Sequence, residues 1–112
     1  MENEQLEITP RDLKRRIDAG ESIVLVDVRE PNEHAIARIS GAELIPMNSI
    51  PANLQRLEAQ ADESLLVAFC HHGVRSLHVA AWLRAQGVAN AVSLAGGIDR
   101  WATEIDQQIP HY

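Results

Sequence analysis

The apolar run Leu65-Leu66-Val67-Ala68-Phe69 ends directly on the only cysteine of the chain, Cys70, and that junction constrains the fold more than any other feature. Such an uninterrupted run, bounded by Ser64 and by His71-His72-Gly73, reads as a strand covered on both faces, as in a parallel sheet held between helical layers. Ile23-Val24-Leu25-Val26-Asp27-Val28 has the same character after the turn at Gly20, with Asp27 as its one charged member. Ala91-Val92-Ser93-Leu94 is a third, shorter strand, and Glu43-Leu44-Ile45 a fourth.

Helical patterns separate these runs. Thr9-Pro10-Arg11-Asp12 supplies an N-cap residue, a proline at the first helical position and a carboxylate three residues after the cap. Leu13 and Ile17 give that helix its apolar face, Gly20 stops it, and Lys14-Arg15-Arg16 forms a solvated side. Short helices are expected over 31–37 and over 50–60, the latter with Leu54 and Leu57 inward. After Arg75, the polar residues up to Gln86 are Ser76, His78, Arg84 and Gln86 itself, so that helix is expected to be largely buried until Gly87 ends it. A last helix follows Gly96-Gly97 and carries Ile98, Trp101 and Ile105, with Trp101 as a core anchor. Met47 and Trp82 are also read as packing residues. Strands alternating with helices imply an α/β fold with a mostly parallel central sheet flanked by helices. With 112 residues, no repeat and no linker, a single domain is expected over 1–112, its ordered core at about 6–110.

Composition narrows the functional classes. At 46% hydrophobic and 23% charged, the chain is far from the signature of disorder and can bury a core without disulfides or a structural metal. Cys70 has no second cysteine to pair with, and the opening Met1-Glu2-Asn3-Glu4-Gln5 lacks the basic and apolar regions of a signal peptide, so a reducing, cytoplasmic setting is expected. No apolar run approaches the ~18 residues of a membrane span. A net charge of −6 argues against nucleic acid as a partner. The charge is unevenly spread: residues 64–98 hold no Asp or Glu, yet they include Arg75, Arg84, His71, His72 and His78.

Chemistry is therefore sought in Cys70-His71-His72-Gly73-Val74-Arg75-Ser76, between a buried strand and a helix. The carboxyl end of a parallel strand is where α/β sheets bind ligands. A glycine-containing loop there can turn successive backbone N–H groups inward as an anion nest, and the following helix adds its positive end. Both favour negative charge on Cys70, which makes it a candidate nucleophile. Arg75 can hold an anionic group on the attacked sulfur through paired hydrogen bonds that lysine could not reproduce. His71 and His72 are expected to shape the rim of the loop. Adjacent residues seldom converge on one ion and no further ligand motif accompanies them, so no metal is expected.

This segment resembles the active-site loop of single-domain rhodaneses. Asp27-Val28-Arg29-Glu30 with Glu33 resembles the first motif of that family, Gly41-Ala42 with Ile45-Pro46 its second, and Leu94-Ala95-Gly96-Gly97 with Trp101 and Ile109-Pro110 its C-terminal one. Two positions depart from the pattern: Ala37-Arg38-Ile39-Ser40 stands where the family usually shows Gly-His-Ile-Pro, and Asp106-Gln107 replaces a glycine. The resemblance implies a rhodanese-like domain and a sulfurtransferase without a cofactor. Sulfane sulfur would be carried as a persulfide on Cys70 and held by the backbone of His71, His72, Gly73, Val74 and Arg75. Asp27, Arg29, Glu33 and Ser76 would support the loop, the charged ones as an ion-pair cluster. The donor would be a small anion such as thiosulfate or a protein persulfide, and the acceptor cyanide or a thiol. Four residues separate Cys70 from Arg75. The related dual-specificity phosphatases carry a longer loop that fits tetrahedral phosphate. Non-catalytic rhodanese-like binding modules usually lack the cysteine, and small arsenate reductases are disfavoured by the absence of a second one.

Overall fold

The run that ends on Cys70 is the middle of the sheet. In the computed structural model, which describes residues 6–112, the strands are β1 (Glu7–Ile8), β2 (Ile23–Asp27), β3 (Glu43–Leu44), β4 (Leu65–Phe69) and β5 (Ala91–Leu94). They lie in the order β1-β5-β4-β2-β3, and every neighbouring pair is parallel. Residues 1–5, read above as lacking a signal peptide, lie outside the described residues. The helices are α1 (Pro10–Asp18), α2 (Pro31–Ile36), α3 (Leu54–Ala61), α4 (Val74–Ala85) and α5 (Gly97–Glu104).

Successive residues of a strand point to opposite faces, and β4 feeds both cores. Leu66 and Ala68 pack with Leu57 of α3 and with Val79 and Leu83 of α4. Val67 and Phe69 pack with Leu13 of α1 and with Ile98 and Trp101 of α5. A strand buried on both sides cannot alternate apolar with polar, hence the unbroken apolar run. At the N-terminus of α1, the Asp12 amide donates to Thr9 Oγ1 at 3.2 Å, and Pro10 occupies the first turn. Lys14, Arg15 and Arg16 pair on the exposed side with Asp18, Asp12 and Glu21. Among the described residues, no helix is long and apolar enough to cross a membrane.

Two local expectations are corrected and one strand is added. The stretch 50–60 is not one helix: 3-10 turns at Met47–Ser49 and Pro51–Asn53 precede α3. Proline is tolerated in a first turn, and the tighter 3-10 winding is a common way into a helix. α4 is not buried around its circumference; it buries Ser76, Val79, Ala80 and Leu83 and leaves Val74, His78, Ala81 and Ala85 exposed. Two of its three exposed apolar residues are alanines, which favour helix and cost little in water. β1 was not foreseen, because two residues carry no periodicity; it joins the edge of the sheet through Ile8 beside Leu94.

Candidate active site

Cys70 leaves the carboxyl end of β4 and is buried. Its Sγ accepts the amide of Gly73 at 3.1 Å and that of Ser76 at 3.4 Å, and Ser76 Oγ lies at 3.4 Å. Ser76 is fixed in turn by Ser93 on β5, their hydroxyl oxygens 2.7 Å apart and both side chains fully buried. Gly73 makes the turn possible. Its φ of +102° is one that side chains resist, and it caps α4, so the positive end of that helix faces the sulfur. α5 holds the other side of the loop: the Ile98 amide donates to the Cys70 carbonyl at 2.9 Å and the Asp99 amide to the His71 carbonyl at 3.1 Å. A trans peptide points its N–H opposite to its C=O, so the amides of His71 and His72 face away from α5. Gly97 permits this approach, since a Cβ there would run into the backbone of Cys70 and His71.

The remaining loop residues form the rim. Val74 is exposed at 66%. His71 is half-buried and sandwiched, its ring 3.9 Å from that of exposed His72 and 3.9 Å from that of Tyr112, the latter pair within 8° of parallel. Burial, with His72 alongside, pushes the His71 pKa below its ordinary value, so this ring is neutral near pH 7. Among the described residues, His71, His72 and Asp99 offer ligand atoms within 4.8 Å of one another. Stacked rings, however, hold their nitrogen lone pairs side by side instead of converging on one ion.

Arg75 differs from expectation. It does not stand free over the sulfur: Nη1 and Nη2 donate to the two carboxylate oxygens of Glu33 at 2.8 and 3.0 Å. That fork holds the Glu33 pKa down to about 2. Asp27, Arg29 and Glu33 fall into two ion pairs, Glu33 with Arg75 and Asp27 with Arg29. Arg29 and Asp27 are completely buried and joined by two bonds between side chains, Nε to Oδ1 at 2.8 Å and Nη2 to Oδ2 at 2.7 Å, and by a third from the Arg29 amide to Oδ1 at 3.1 Å. Arg29 also donates to the Ala37 carbonyl, and His34 lies 2.8 Å from Asp27. Here is the reason for a carboxylate inside an apolar strand: Asp27 neutralises an arginine that ties β2 to the segment after α2. Tyr112 bridges the two pairs, its hydroxyl accepting from Arg29 at 2.8 Å and donating to Glu33 at 2.9 Å. With Arg75 neutralised by Glu33, positive potential at the sulfur comes mainly from backbone N–H groups and the start of α4.

Ser93, Asp99 and Tyr112 were missed by the sequence reading. Ser93 could have been flagged as a lone hydroxyl in an apolar strand. Nothing near Tyr112 in the sequence signals its role, because its partners lie 79 and 83 positions away.

The parallel sheet thus carries a buried cysteine at the carboxyl end of its middle strand, with amides of the following turn and helix on the sulfur. The chain belongs to the rhodanese-like domain family, which it matches over residues 9–104. It is 37% identical over 94% of its length to the probable adenylyltransferase/sulfurtransferase MoeZ of Mycobacterium tuberculosis, of which it spans only 26%. It is 35% identical to a sulfurtransferase of Allochromatium vinosum, covering 86% of this chain and 87% of that one. The human single-domain sulfurtransferase TSTD1 superposes with a TM-score of 0.78 at 26% identity, over 88% of this chain and 96% of that one.

Proposed function

We propose that this chain is a sulfurtransferase that carries sulfane sulfur as a persulfide on Cys70. The observation that carries the reading is the pair of amides, from Gly73 and Ser76, aimed at the buried sulfur at 3.1 and 3.4 Å. N–H dipoles in that position stabilise negative charge as it shifts between attacking, leaving and transferred sulfur. In the first half-reaction the Cys70 thiolate attacks the outer sulfur of thiosulfate. The S–S bond of the donor breaks, its electron pair leaves with sulfite, and Cys70 becomes the persulfide anion. Cyanide or a thiolate then attacks the outer persulfide sulfur and returns Cys70 as thiolate. Dividing the transfer in two is the advantage of a covalent intermediate.

Catalysis rests on Cys70, and the backbone of residues 71–75 holds the transferred sulfur. Ser76 steadies the nucleophile, while Asp27, Arg29 and Glu33 brace the loop from behind. Because Glu33 occupies Arg75, a protein persulfide is as suitable a donor as dianionic thiosulfate. A reducing cytosol suits a chain whose single thiol is its reactive group. The short loop between Cys70 and Arg75 favours sulfur over tetrahedral phosphate. Incubation with thiosulfate is expected to add the mass of one sulfur atom to the intact protein, removable by cyanide and absent in Cys70→Ser. A wild type that stays unmodified at forcing thiosulfate concentrations would defeat the proposal.

A further inference from the structure

Tyr112 lies beyond the core boundary read from the sequence, in an irregular segment, yet it touches both the loop and the ion pairs beside it. Its ring stacks on His71, and His71 stacks on His72, so three rings stand in line at the rim. Its hydroxyl joins the Arg29–Asp27 pair to the Glu33–Arg75 pair. The guanidinium carbon of Arg29 sits 5.5 Å from the centre of the Tyr112 ring. The preceding residue fastens the same segment to α5, His111 Nδ1 being 2.8 Å from Asp99 Oδ1. Asp99 in turn donates its amide to the His71 carbonyl. The segment therefore meets the loop twice, once through a ring and once through the helix that grips the loop backbone.

Among the described residues, little else holds the side chains of the rim. His71 Nε2 is buried without a hydrogen-bond partner, exposed His72 has Asp99 Oδ2 at 3.7 Å from its Nε2, and Val74 points into solvent. The stack on Tyr112 is thus the chief restraint on the His71 side chain, whereas the sulfur has its own restraints in Gly73, Ser76 and Ser93. An aromatic stack is geometrically specific, so its loss frees the rim without touching the floor.

We propose that Tyr112 is a positioning residue that holds the rim of the Cys70 loop in its donor-binding form. This rests on the sulfurtransferase reading and adds to it a residue that governs donor binding more than the chemical step. Preorganised donors cost nothing to arrange when the substrate arrives, and a loosened rim must be ordered by the donor itself. That cost falls on KM.

The test compares wild type with Tyr112→Phe, which keeps the stack and loses both hydroxyl bonds, and Tyr112→Leu, which loses both. Thiosulfate-to-cyanide kinetics and the rate of Cys70 alkylation by iodoacetamide are measured on each, with far-UV circular dichroism and Tm as controls. For Tyr112→Leu the thiosulfate KM is expected to rise about three- to ten-fold, the range that loss of a stacked pair allows, with kcat nearly unchanged and alkylation faster. Tyr112→Phe is expected to fall between Tyr112→Leu and wild type. Alkylation reads the rim without any sulfur transfer, so it tests the role of Tyr112 even if thiosulfate fails to load Cys70. Wild-type KM and alkylation rate in Tyr112→Leu would overturn the proposal. So would a loss of activity that merely follows loss of folded protein.

Discussion

Glu33 decides how much free charge the loop presents, because both of its oxygens are taken by Arg75. This pairing also makes stability depend on pH in a direction that can be derived. The Arg75 fork lowers the Glu33 pKa from an ordinary 4.5 to about 2 in the folded chain. Above the unfolded value the carboxylate is charged in both states and the pairing contributes fully. As pH falls, the unfolded chain takes up the proton first, and the contribution is lost progressively down to about pH 2. Urea midpoints of the wild type should therefore fall through this window, and those of Glu33→Gln should fall less steeply. Parallel curves would show that the pair contributes nothing to folding.

Two helix N-termini meet at the loop, one behind the sulfur and one behind the loop carbonyls, and their roles separate experimentally. α5 approaches so closely that a methyl group at Gly97 would collide with backbone atoms of Cys70 and His71, where φ is also +63°. Gly97→Ala is expected to cost about 1–3 kcal/mol, the usual scale of such backbone strain, and to slow sulfur loading at Cys70. The outer face of α4 makes the opposite claim. Ala81 is exposed there, so Ala81→Lys should change stability by no more than about 0.5 kcal/mol and leave loading intact. Thermal unfolding and intact mass after thiosulfate check both. An undisturbed Gly97→Ala protein would mean that α5 does not brace the loop.

The sheet divides the molecule into two cores, and the loop depends on both, since β4 alternates between them before reaching Cys70. Leu57 lies in the core shared with α3 and α4, and Leu94 in the core shared with α1 and α5. Each is fully buried, so Leu57→Ala and Leu94→Ala should each cost about 2–5 kcal/mol in urea denaturation. Lying on opposite faces without a common core, they should add to within about 0.5 kcal/mol. A domain of this kind has only about 5–15 kcal/mol of stability in all, so the double variant, losing about 4–10 kcal/mol, should unfold at much lower urea than either single one. Strong non-additivity would mean that the two faces act as one core transmitted through β4.

β2, β4 and β5 were legible because a strand buried on both faces is apolar at most of its positions, and Thr9-Pro10 marked its helix because capping is a local matter. Cys70 was legible for a similar reason: it directly follows the strand that places it. The burial of α4 was misjudged, because the sequence counts its alanines as apolar but does not say which of them meet the sheet. The state of Arg75 lay beyond local reading as well. Sequence proximity to Cys70 suggested a free guanidinium, and only the fold brings in Glu33 from 42 positions away to occupy it. Ser93 and Tyr112 reach the site through the same long-range closure. The sequence by itself determined the layered sheet and the place of the candidate nucleophile, since periodicity and neighbours along the chain encode them. Tertiary structure alone decided which charges are neutralised and what holds the rim, because hydrogen bonds between distant segments leave no periodic trace in either one.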